Sequence, residues 1–458
     1  MSRPAPSSTS RPQAGGRSFR VSVIGTGYLG AVHAACLAAA GHRVVGIDTD
    51  ASRVSALAGG RAPFHEPGLD DLLRTGIDSG RLSFSTDVDR AADRDVHFLC
   101  VGTPQEPAGD GADLSYVWSA VRSLARRLSR PCLVVGKSTV PVGTAARLAD
   151  ELGATAPAAN GVRLAWNPEF LREGHAVEDT LYPDRLVFGV TDEASNLELR
   201  ELYASVVPRS TPVVRTDLAT AELAKVAANV MLAARLSVMN VLAEVCEVAQ
   251  ADVGDLITVL AHDDRIGRDF LTPGLGFGGG CLPKDLRAFS ARAAELGVVE
   301  PTRLLAEVDA VNLHQRSRLV DLAARLLARR EGRGTVAVLG TAFKPGSDDV
   351  RDSPAVDVAS RLQALGARVR YYDPKAGEST ARVSPELERA DDAESACRGA
   401  DLTLVLTEWE EFRALDPVAL AEVVACREVV DARLALDPDK WRAAGWAFHG
   451  LGRGSAGA

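Results

Sequence analysis

The stretch GLGFGGGCLPKD at residues 274–285 places one cysteine after a run of glycines and shortly before a lysine and an aspartate. Two interpretations of Cys281 are open. Either the glycines form a tight surface turn with the thiol tucked beneath it, or they clear side chains away so that a ligand reaches the sulfur. In the second interpretation Lys284 helps to keep the thiol ionised, and Cys281 is a candidate nucleophile.

A second group of polar residues lies within a helical pattern that runs from about 217 to 260. Its central part is mostly Ala, Val and Leu, without Gly or Pro, which is typical of a largely buried helix. The spacing of Glu222, Lys225 and Asn229 puts all three on one helix face. That face is either the wet side of the helix, or it presents an ammonium and an amide to a developing oxyanion.

Two carboxylates follow a predicted strand in the stretch LAWNPEFLREG, residues 164–174. Acids in loops are usually solvated. Glu169 and Glu173, however, flank the apolar residues Phe170 and Leu171, which favours a partly enclosed position for both carboxylates.

The elements that must position these groups begin with a dinucleotide fingerprint. A short β-branched strand at residues 20–24 leads into Gly25, Gly27 and Gly30, then a helix, then a second strand that ends on Asp48. Strand, glycine turn, helix, strand and acid predict a pyrophosphate at the helix N-terminus and a ribose on the carboxylate. A carboxylate repels a 2′-phosphate, so the pattern favours NAD over NADP. A βαβ unit without a cofactor is the alternative.

Two further strands are predicted at residues 95–104 and 132–144, and both end in small and hydroxyl residues. Ligands of open α/β sheets bind outside the carboxyl ends of the strands. Thr103, Ser138 and Thr139 are therefore candidates for the nicotinamide side of the site. Helix capping is the alternative role for each hydroxyl.

Alternating strand and helix patterns resume from residue 334, so a second parallel sheet is predicted. A long helical pattern at about 301–330 precedes it. The first loop of this second unit, residues 340–354, lacks the glycine fingerprint and carries Lys344 and Arg351 instead. It favours a phosphate-bearing ligand other than a dinucleotide, with a purely structural unit as the alternative.

The composition sets the class of protein. The 458 residues carry a formal charge of −9 and have a pI of about 5.5, which gives no electrostatic case for nucleic acid or an anionic membrane as partner. No uninterrupted apolar run reaches the length of a membrane span. Seven scattered cysteines without a CxxC pair, and eight scattered histidines, predict neither disulfides nor a metal site, and favour the cytoplasm. Six of the cysteines are expected to be inert core, and residues 1–18 read as a disordered tail.

These groups together suggest one reaction sequence. Hydride loss converts an alcohol into an aldehyde, which a thiolate captures as a thiohemiacetal. A second hydride loss gives a thioester, and water then releases an acid. Covalent capture divides a hard conversion into easier steps.

The chain resembles the UDP-glucose 6-dehydrogenases within the UDP-glucose/GDP-mannose dehydrogenase family, from about residue 20 to 453. The motifs that carry the resemblance are GTGYLG, KSTVPVGT, NPEFLREG, AELAKVAANVMLAARLSVMN, GLGFGGGCLPKD, GTAFKPGSDDVRDSP and DARLALDPDKW leading to GLGRG. The resemblance implies an α/β fold in which two Rossmann-like doubly wound parallel-sheet domains are joined by a central helical domain. The expected boundaries are 19–213 for the NAD-binding domain, 214–318 for the helical dimerisation domain and 319–458 for the nucleotide-sugar-binding domain.

The resemblance also implies a role for each matching residue. Cys281 matches the nucleophile, and Asp285 matches the acid that supports water and proton transfer. Lys225 and Asn229 match the pair that stabilises oxyanions, while Thr139 and Glu169 match residues that order the catalytic water. Cofactor contacts are expected from Gly25, Gly27, Tyr28, Leu29, Gly30, Asp48, Arg53, Thr103, Thr139, Glu173, Lys284 and Arg351. Substrate contacts are expected from Glu169, Phe170, Leu171, Glu173, Lys225, Asn229, Arg265, Phe270, Phe277, Gly278, Cys281, Phe343, Lys344 and Arg433.

The implied activity is NAD-dependent oxidation of UDP-glucose to UDP-glucuronate with two NADH released. Arg265 matches an arginine that reaches the substrate of a neighbouring subunit, so a homodimer or larger homo-oligomer is expected. One departure is visible, because Gly280 stands where the family often has Ser. Rival substrates are GDP-mannose, a UDP-amino sugar and a thymidine diphosphate sugar, and the rival of another class is an inactive nucleotide-sugar binding protein.

Overall fold

The computed structural model describes residues 17–107, 109–328 and 334–453. The predicted disordered tail lies outside the described residues except for its last two positions. The chain forms two compact units, and the division between Ala228 and Asn229 falls inside a long helix. The three-domain boundaries expected from the sequence stay a prediction.

The first unit is built on an eight-stranded sheet. Its strands are β1 (Arg20–Ile24), β2 (Arg43–Ile47), β3 (Leu82–Ser85), β4 (Val96–Leu99), β5 (Cys132–Gly136), β6 (Val162–Trp166), β7 (Leu186–Val190) and β8 (Val213–Thr216). Its helices are α1 (Tyr28–Ala39), α2 (Ala51–Ala58), α3 (Leu69–Asp78), α4 (Ser115–Ala125), α5 (Thr144–Thr155), α6 (Ala176–Leu181), α7 (Glu193–Tyr203) and the first part of α8 (Leu218–Ala249), with 3₁₀ turns at Val88–Ala91 and Ala159–Gly161.

The strand order β3-β2-β1-β4-β5-β6-β7-β8 reverses direction at β1, which is the doubly wound arrangement predicted from the sequence. The inner strands are fully buried because helices cover both faces, and each face has its own apolar cluster. One expectation was wrong in detail. β7 runs antiparallel to β6, so the sheet is mixed rather than wholly parallel.

The second unit begins with helices and ends with a six-stranded sheet. After the second part of α8, its helices are α9 (Val253–Ala261), α10 (Leu282–Glu295), α11 (Val299–Leu327), α12 (Pro354–Ala364), α13 (Gly377–Val383), α14 (Ala393–Cys397), α15 (Glu410–Arg413), α16 (Pro417–Ala421) and α17 (Pro438–Ala443). Its strands are β9 (Thr335–Leu339), β10 (Arg368–Tyr372), β11 (Glu388–Arg389), β12 (Leu402–Val405), β13 (Glu428–Asp431) and β14 (Ala447–Gly450), paired in parallel in the order β11-β10-β9-β12-β13-β14. The predicted second parallel sheet is confirmed.

The helical pattern predicted from 217 to 260 is two helices in the structure. α8 ends at Ala249, and Gln250 turns the chain with a φ of 57°, a left-handed conformation that no helix continues through. By length and composition α8 passes the test for a membrane span, with a mean hydropathy of 1.6 over its best window. The sequence of α8 contains no long uninterrupted apolar run, because isolated charged residues interrupt it without lowering the mean hydropathy much.

Candidate functional site

In the turn between β1 and α1, glycines are present for two different reasons. A Cβ atom added at Gly30 would lie 1.9 Å from the carbonyl oxygen of Gly25, and Gly25 itself has a φ of +88°. Those two glycines are therefore required by the packing of the protein itself. A Cβ atom at Gly27 would meet nothing within 4 Å. Gly27 leaves open space beside the N-terminus of α1, where a pyrophosphate would meet backbone N–H groups and a favourable helix dipole.

Asp48 follows β2 and is buried with its carboxylate fully engaged. One oxygen accepts hydrogen bonds from the backbone N–H of Thr26 at 2.7 Å, the other from that of Asp50 at 3.0 Å, and Arg53 pairs with it at 3.0 Å. Burial alone would raise the pKa of Asp48, but the two backbone hydrogen bonds and the Arg53 ion pair outweigh burial and lower it. The carboxylate is therefore a fixed anion, suited to accept hydrogen bonds from ribose hydroxyls. Tyr28 and Leu29, in the first turn of α1, are half-buried.

Two of the three hydroxyls predicted for the nicotinamide side, those of Thr103 and Ser138, form hydrogen bonds within the protein. Thr103 donates to the carbonyl oxygen of Thr139 at 2.8 Å, and Ser138 donates to that of Val101 at 2.7 Å. These bonds join the loops after β4 and β5 at the carboxyl end of the sheet. None of the three residues caps a helix.

A buried lysine that the sequence analysis passed over ties two of these loops together. Lys137, directly after β5, donates to Asn167 Oδ1 at 3.0 Å and to the hydroxyl of Tyr203 at 3.3 Å. Asn167 opens the loop that carries Glu169 and donates its own amide to the carbonyl oxygen of Val187 at 3.0 Å. Burial lowers the pKa of Lys137 to about 8. The amide of Asn167 thus fixes where the acidic loop begins.

Within the first unit, Glu169 and Lys225 form a buried ion pair with 2.9 Å between Oε1 and Nζ. The other oxygen of Glu169 accepts the backbone N–H of Leu171 at 2.6 Å. Phe170 lies beneath Arg185, whose guanidinium is 3.8 Å from the ring centroid. The loop is therefore partly enclosed, and one of its acids is paired with the lysine of the helix. Glu173, further along the loop, is half-buried.

The polar face of α8 is not exposed to solvent, because Glu222, Lys225 and Asn229 are all at least nine-tenths buried. The carboxylate of Glu222 accepts the backbone N–H groups of Gly143 at 2.7 Å and Ala145 at 2.5 Å. These donors belong to the start of α5, whose first N–H groups have no partner within the helix. Glu222 is thus a structural cap, whereas the other two residues of the face are bonded to predicted catalytic acids.

Glu66 is a second residue that the sequence analysis missed. Its carboxylate accepts the hydroxyl of Tyr28 and the backbone N–H groups of Gly174 at 2.9 Å and Val177 at 3.1 Å. Burial and the neighbouring carboxylate raise the pKa of Tyr28 far above its usual value, so its hydroxyl stays a donor. The end of the acidic loop is held by this cluster, as its start is held by Asn167. No short sequence motif indicates this cluster, because the residues that bond Glu66 lie 38 to 111 residues away from it.

In the second unit, Cys281 is exposed and occupies the N-cap position of the fourteen-residue helix α10. A negative charge on the sulfur is favoured there by the helix dipole. On the first turn of that helix, Asp285 accepts the amide of Asn229 at 2.6 Å and pairs with Lys284. Lys284 is thus shared with an adjacent carboxylate, and its predicted support of the thiol stays a prediction.

The glycines before Cys281 were expected to make room for the substrate, but the structure gives them another use. A Cβ atom at Gly278 would lie 2.3 Å from the carbonyl oxygen of Asp352, and one at Gly279 would lie 2.8 Å from the Phe343 ring. The backbone N–H of Gly279 donates to the carbonyl oxygen of Arg351 at 2.9 Å. The glycines therefore let residues 274–281, the thiol loop, pack against the loop after β9.

The thiol loop is also held from α11, so it is an ordered segment rather than a flexible one. Asn312 accepts the backbone N–H of Phe277 at 2.6 Å and donates back to its carbonyl oxygen at 3.1 Å. Arg316, buried and paired with Asp352 at 2.9 Å, donates to the same carbonyl at 3.3 Å. Arg433 donates to the carbonyl oxygen of Gly276 at 3.2 Å. Neither Asn312 nor Arg316 was predicted.

An aspartate of the second sheet has hydrogen bonds similar to those of Asp48. Asp373, after β10, accepts the N–H groups of Thr341 and Ala342 with one oxygen and those of Lys375 and Ala376 with the other. Like Asp48, it therefore accepts backbone hydrogen bonds with both carboxylate oxygens. Half-buried Phe343 and Lys344 lie in the same loop region.

The remaining predicted residues lie at the surface. Arg265 is 88% exposed and pairs with Asp263, and Phe270 is 39% exposed with a left-handed φ of 59°. Five of the six cysteines expected in the core are buried, but Cys426 is only half-buried. Among the described residues no cluster of His, Cys, Asp and Glu could hold a metal ion.

Three models of one family match the chain in order. The UDP-glucose/GDP-mannose dehydrogenase family's NAD binding domain matches residues 19–207, its central domain 219–314 and its UDP binding domain 337–438.

Full-length relatives share this organisation. A UDP-glucose 6-dehydrogenase of Rhizobium meliloti (strain 1021) is 41% identical over 439 residues, which are 95% of this chain and 100% of the relative. The solved structure of a UDP-glucose dehydrogenase from the hyperthermophilic archaeon Pyrobaculum islandicum has a TM-score of 0.88 at 37% identity, covering 96% of this chain and 99% of the other. A UDP-D-ManNAc dehydrogenase from Pyrococcus horikoshii has a TM-score of 0.84 at 26% identity, covering 96% of this chain and 100% of its own. The chain belongs to the UDP-glucose/GDP-mannose dehydrogenase family.

Proposed function

We propose that the protein oxidises the C6 alcohol of UDP-glucose to the carboxylate of UDP-glucuronate, with two NAD reduced for each sugar nucleotide. The observation that carries the proposal is the exposed thiol of Cys281 at the N-terminus of α10, one turn before Asp285 and its partner Asn229. The substrate assignment is supported by the names of the most similar relatives, which are UDP-glucose 6-dehydrogenases at 35–41% identity.

NAD fits the residues of the first unit. Gly27 leaves open space at the N-terminus of α1, and Asp48 is held as an anion where a ribose would hydrogen-bond. Arg53, paired with Asp48, is a further residue that would contact the cofactor. When bound, the cofactor supplies the hydride acceptor for both oxidations.

The first oxidation removes a hydride and a proton from the C6 alcohol and leaves an aldehyde. Lys225 is the group proposed to stabilise negative charge on that oxygen, because it is a buried ammonium and low polarity strengthens such an interaction. The ion pair with Glu169 keeps the ammonium in place and gives the proton a route to a carboxylate.

The sulfur of Cys281 then adds to the aldehyde carbon, and the oxygen takes up a proton to give a thiohemiacetal. Loss of a second hydride and that proton gives a thioester. Water attacks the thioester carbonyl, the C–S bond breaks, and the thiol and the carboxylic acid are released. Asn229 and Asp285 are proposed to serve this half of the reaction, as a donor to the oxyanion and as a proton carrier.

A second substrate is favoured by one specific observation. The UDP-D-ManNAc dehydrogenase from Pyrococcus horikoshii shares the fold along its whole length with a TM-score of 0.84. A UDP-amino sugar is therefore the alternative substrate, with the same cysteine chemistry.

The test is the stoichiometry of the purified enzyme with NAD and each sugar nucleotide. Two NADH per UDP-glucose, without free aldehyde, is the expected result. Replacing Cys281→Ser should lower turnover by roughly 10³-fold or more, because a serine hydroxyl is a far weaker nucleophile and its ester is hydrolysed more slowly. Affinity for UDP-glucose should change little.

The matched control is Cys426→Ser, which alters a half-buried cysteine of the same unit and should leave turnover intact. One NADH per sugar with released aldehyde would contradict the covalent mechanism. Turnover of the Cys281→Ser variant within about tenfold of the native enzyme would show that another group is the nucleophile. The predicted cytoplasmic location is a separate proposal, and localisation of a tagged copy by microscopy or fractionation tests it.

A further inference from the structure

The second unit contains a cleft that the reaction proposed above does not use. It has a volume of about 380 Å³ and lies among α8, α11, α17 and the edge strand β14. The residues that line it are Glu247, Arg318, Asp321, Leu322, Arg325, Arg442, Phe448, His449, Gly450, Leu451 and Arg453. None of the predicted catalytic, cofactor or substrate residues is among them.

The lining is positive in a protein whose net charge is −9. Four arginines face two carboxylates, which leaves an excess of two positive charges. Glu247 is neutralised by Arg318 at 2.6 Å and also accepts the backbone N–H of Gly452 at 2.7 Å. His449 pairs with Glu428 outside the cleft at 3.2 Å. Asp321 is the one lining carboxylate that stays exposed.

Arg453 is the most informative of the four arginines. Its Nε and Nη1 atoms are buried, and within the described part of the chain neither has a hydrogen-bond partner. The nearest carboxylate oxygen, on Asp252, is 3.5 Å from Nε, beyond the usual length of a charge-assisted hydrogen bond. Buried donors of a charged group are costly when they stay unsatisfied. The Arg453 side chain as a whole is 20% exposed, and a rotation of its guanidinium would bring these donors to an anion in the cleft.

Two further guanidinium groups are available at the cleft mouth. Arg325 is exposed, and among the residues that the structure describes nothing forms an ion pair or hydrogen bond with it. Arg442 lies over the ring of Phe448 at 5.5 Å, and its carboxylate neighbour Asp439 is exposed and 3.7 Å away. Exposed pairs of this kind are weak. Both groups can therefore turn to a ligand at little cost.

We propose that this cleft binds a small phosphorylated ligand at a site separate from catalysis. Planar guanidinium groups match phosphate oxygens with paired hydrogen bonds, and several of them together select multiply charged phosphates. The volume is within the range of small-molecule sites. Phe448 provides an apolar wall for the organic part of the ligand. The proposal does not depend on which sugar nucleotide the enzyme oxidises.

The experiment measures binding of radiolabelled inorganic pyrophosphate to the whole enzyme by equilibrium dialysis at physiological ionic strength. NADH and UDP are left out because both carry phosphates that would compete for the cleft, and the equivalent that the cleft variants lose is the one assigned to the cleft. We expect one equivalent of pyrophosphate per chain. Arg325→Gln and Arg453→Lys should each weaken this binding by about tenfold, because one loses a charge and the other loses the guanidinium geometry.

Arg382→Gln is the matched control, since it removes one charge from an exposed arginine of α13 in the same unit. It should bind pyrophosphate as the native enzyme does. Arg325 is exposed and unpaired within the described residues, so its variant tests the cleft even if Arg453→Lys misfolds. Absence of the extra equivalent overturns the proposal, as does binding that neither cleft variant weakens. Equal affinity for citrate would overturn the assignment to phosphate.

Discussion

Gly280, the residue before the proposed nucleophile Cys281, shows how one missing side chain changes its surroundings. A Cβ atom at this position would lie 2.4 Å from Cζ of Arg351 and within 2.6 Å of both terminal guanidinium nitrogens. Arg351 therefore occupies the space that the serine expected from the family resemblance would fill. The contact is with the end of a flexible side chain, so a substitution would move Arg351 rather than unfold the loop.

Replacing Gly280→Ser should thus displace the Arg351 guanidinium while leaving the thermal stability nearly unchanged. If Arg351 contacts the cofactor, as predicted, the KM for NAD should rise by about fivefold with a smaller change in kcat, because a charge-assisted hydrogen bond is lost. Steady-state kinetics with varied NAD measures both. Gly280→Ala is the control for the hydroxyl, since it moves Arg351 in the same way. An unchanged KM in both variants would remove Arg351 from the cofactor site.

At the scale of single residues, the sequence indicated the candidate site residues better than it indicated the contacts that position them. The exposure of Cys281 and the burial of Lys225 and Asn229 agree with the predicted roles. The packing role of the glycines was missed, because close packing against a loop some 70 residues later leaves no local signal. Asn312 and Glu66 were missed for the same cause, since each acts on a backbone segment distant in sequence.

Between elements, the network of Lys137 links the loops after β5 and β6. An ammonium in this position must be desolvated, and the hydrogen bonds of Asn167 and Tyr203 come from neutral groups. Glu169 contributes an attractive charge nearby and Lys225 a repulsive one, while burial dominates and lowers the pKa of Lys137 to about 8. The network therefore costs stability whenever Lys137 is charged.

The sign of the pH effect follows from the depressed pKa. Below about pH 8 Lys137 is protonated in both the folded and the unfolded chain, and the full burial penalty is present. Between pH 8 and the ordinary lysine pKa of about 10.4 the unfolded chain binds more protons than the folded one, so this group makes stability rise with pH. Lys137→Met abolishes the contribution.

Lys137→Met should therefore be most favourable to stability, relative to the native protein, at pH 7, and lose that advantage towards pH 10. Melting temperatures of both proteins are measured across this pH range. The difference between the two proteins isolates the contribution of Lys137, because the other groups titrate in both. Lys375→Met, at an exposed lysine, should show no such slope. A difference independent of pH would mean that Lys137 is not titrating in this range.

The order of the elements was predictable, but the direction of one strand was not. Every residue of β7 is buried, as in β4 and β5, and a wholly buried strand has no alternation that marks its orientation. Its antiparallel pairing with β6 depends on the connection through α6. The break between α8 and α9 was likewise hidden, because Gln250 reaches its left-handed φ without a glycine to signal it.

For the whole molecule, the exposed apolar residues of α8 call for a covering surface. Met231, Val238, Val241, Val245 and Val248 recur at spacings of seven, three, four and three residues, which places them along one helix face. Val248 alone is 86% exposed. Large exposed apolar patches on a folded chain mark interaction sites. We propose that a second copy of the chain covers this face, in line with the predicted homodimer.

Introducing Val241→Glu together with Val245→Glu should convert the protein to monomers, because two carboxylates in an apolar interface would be desolvated without partners. Size-exclusion chromatography with light scattering reads the mass directly. Val418→Glu, at a 61% exposed valine of α16, is the matched control and should leave the assembly unchanged. A double variant that keeps the native mass would place the interface elsewhere.

The dimer gains a functional meaning if Arg265, exposed on its own chain, completes the substrate site of the partner. Neither Cys281→Ser nor Arg265→Ala alone should then retain appreciable activity as a homodimer. Co-expressed chains carrying one change each would form mixed dimers in which one site combines an intact Cys281 with an intact Arg265. Those mixed dimers should recover activity to about half that of the native dimer, since one of two sites is restored. Purification through two different tags isolates them for assay. If Arg265 acts within its own chain, each site of the mixed dimer lacks either Cys281 or Arg265, so no site is intact and the mixed dimer stays inactive. Recovery of activity therefore separates the two arrangements.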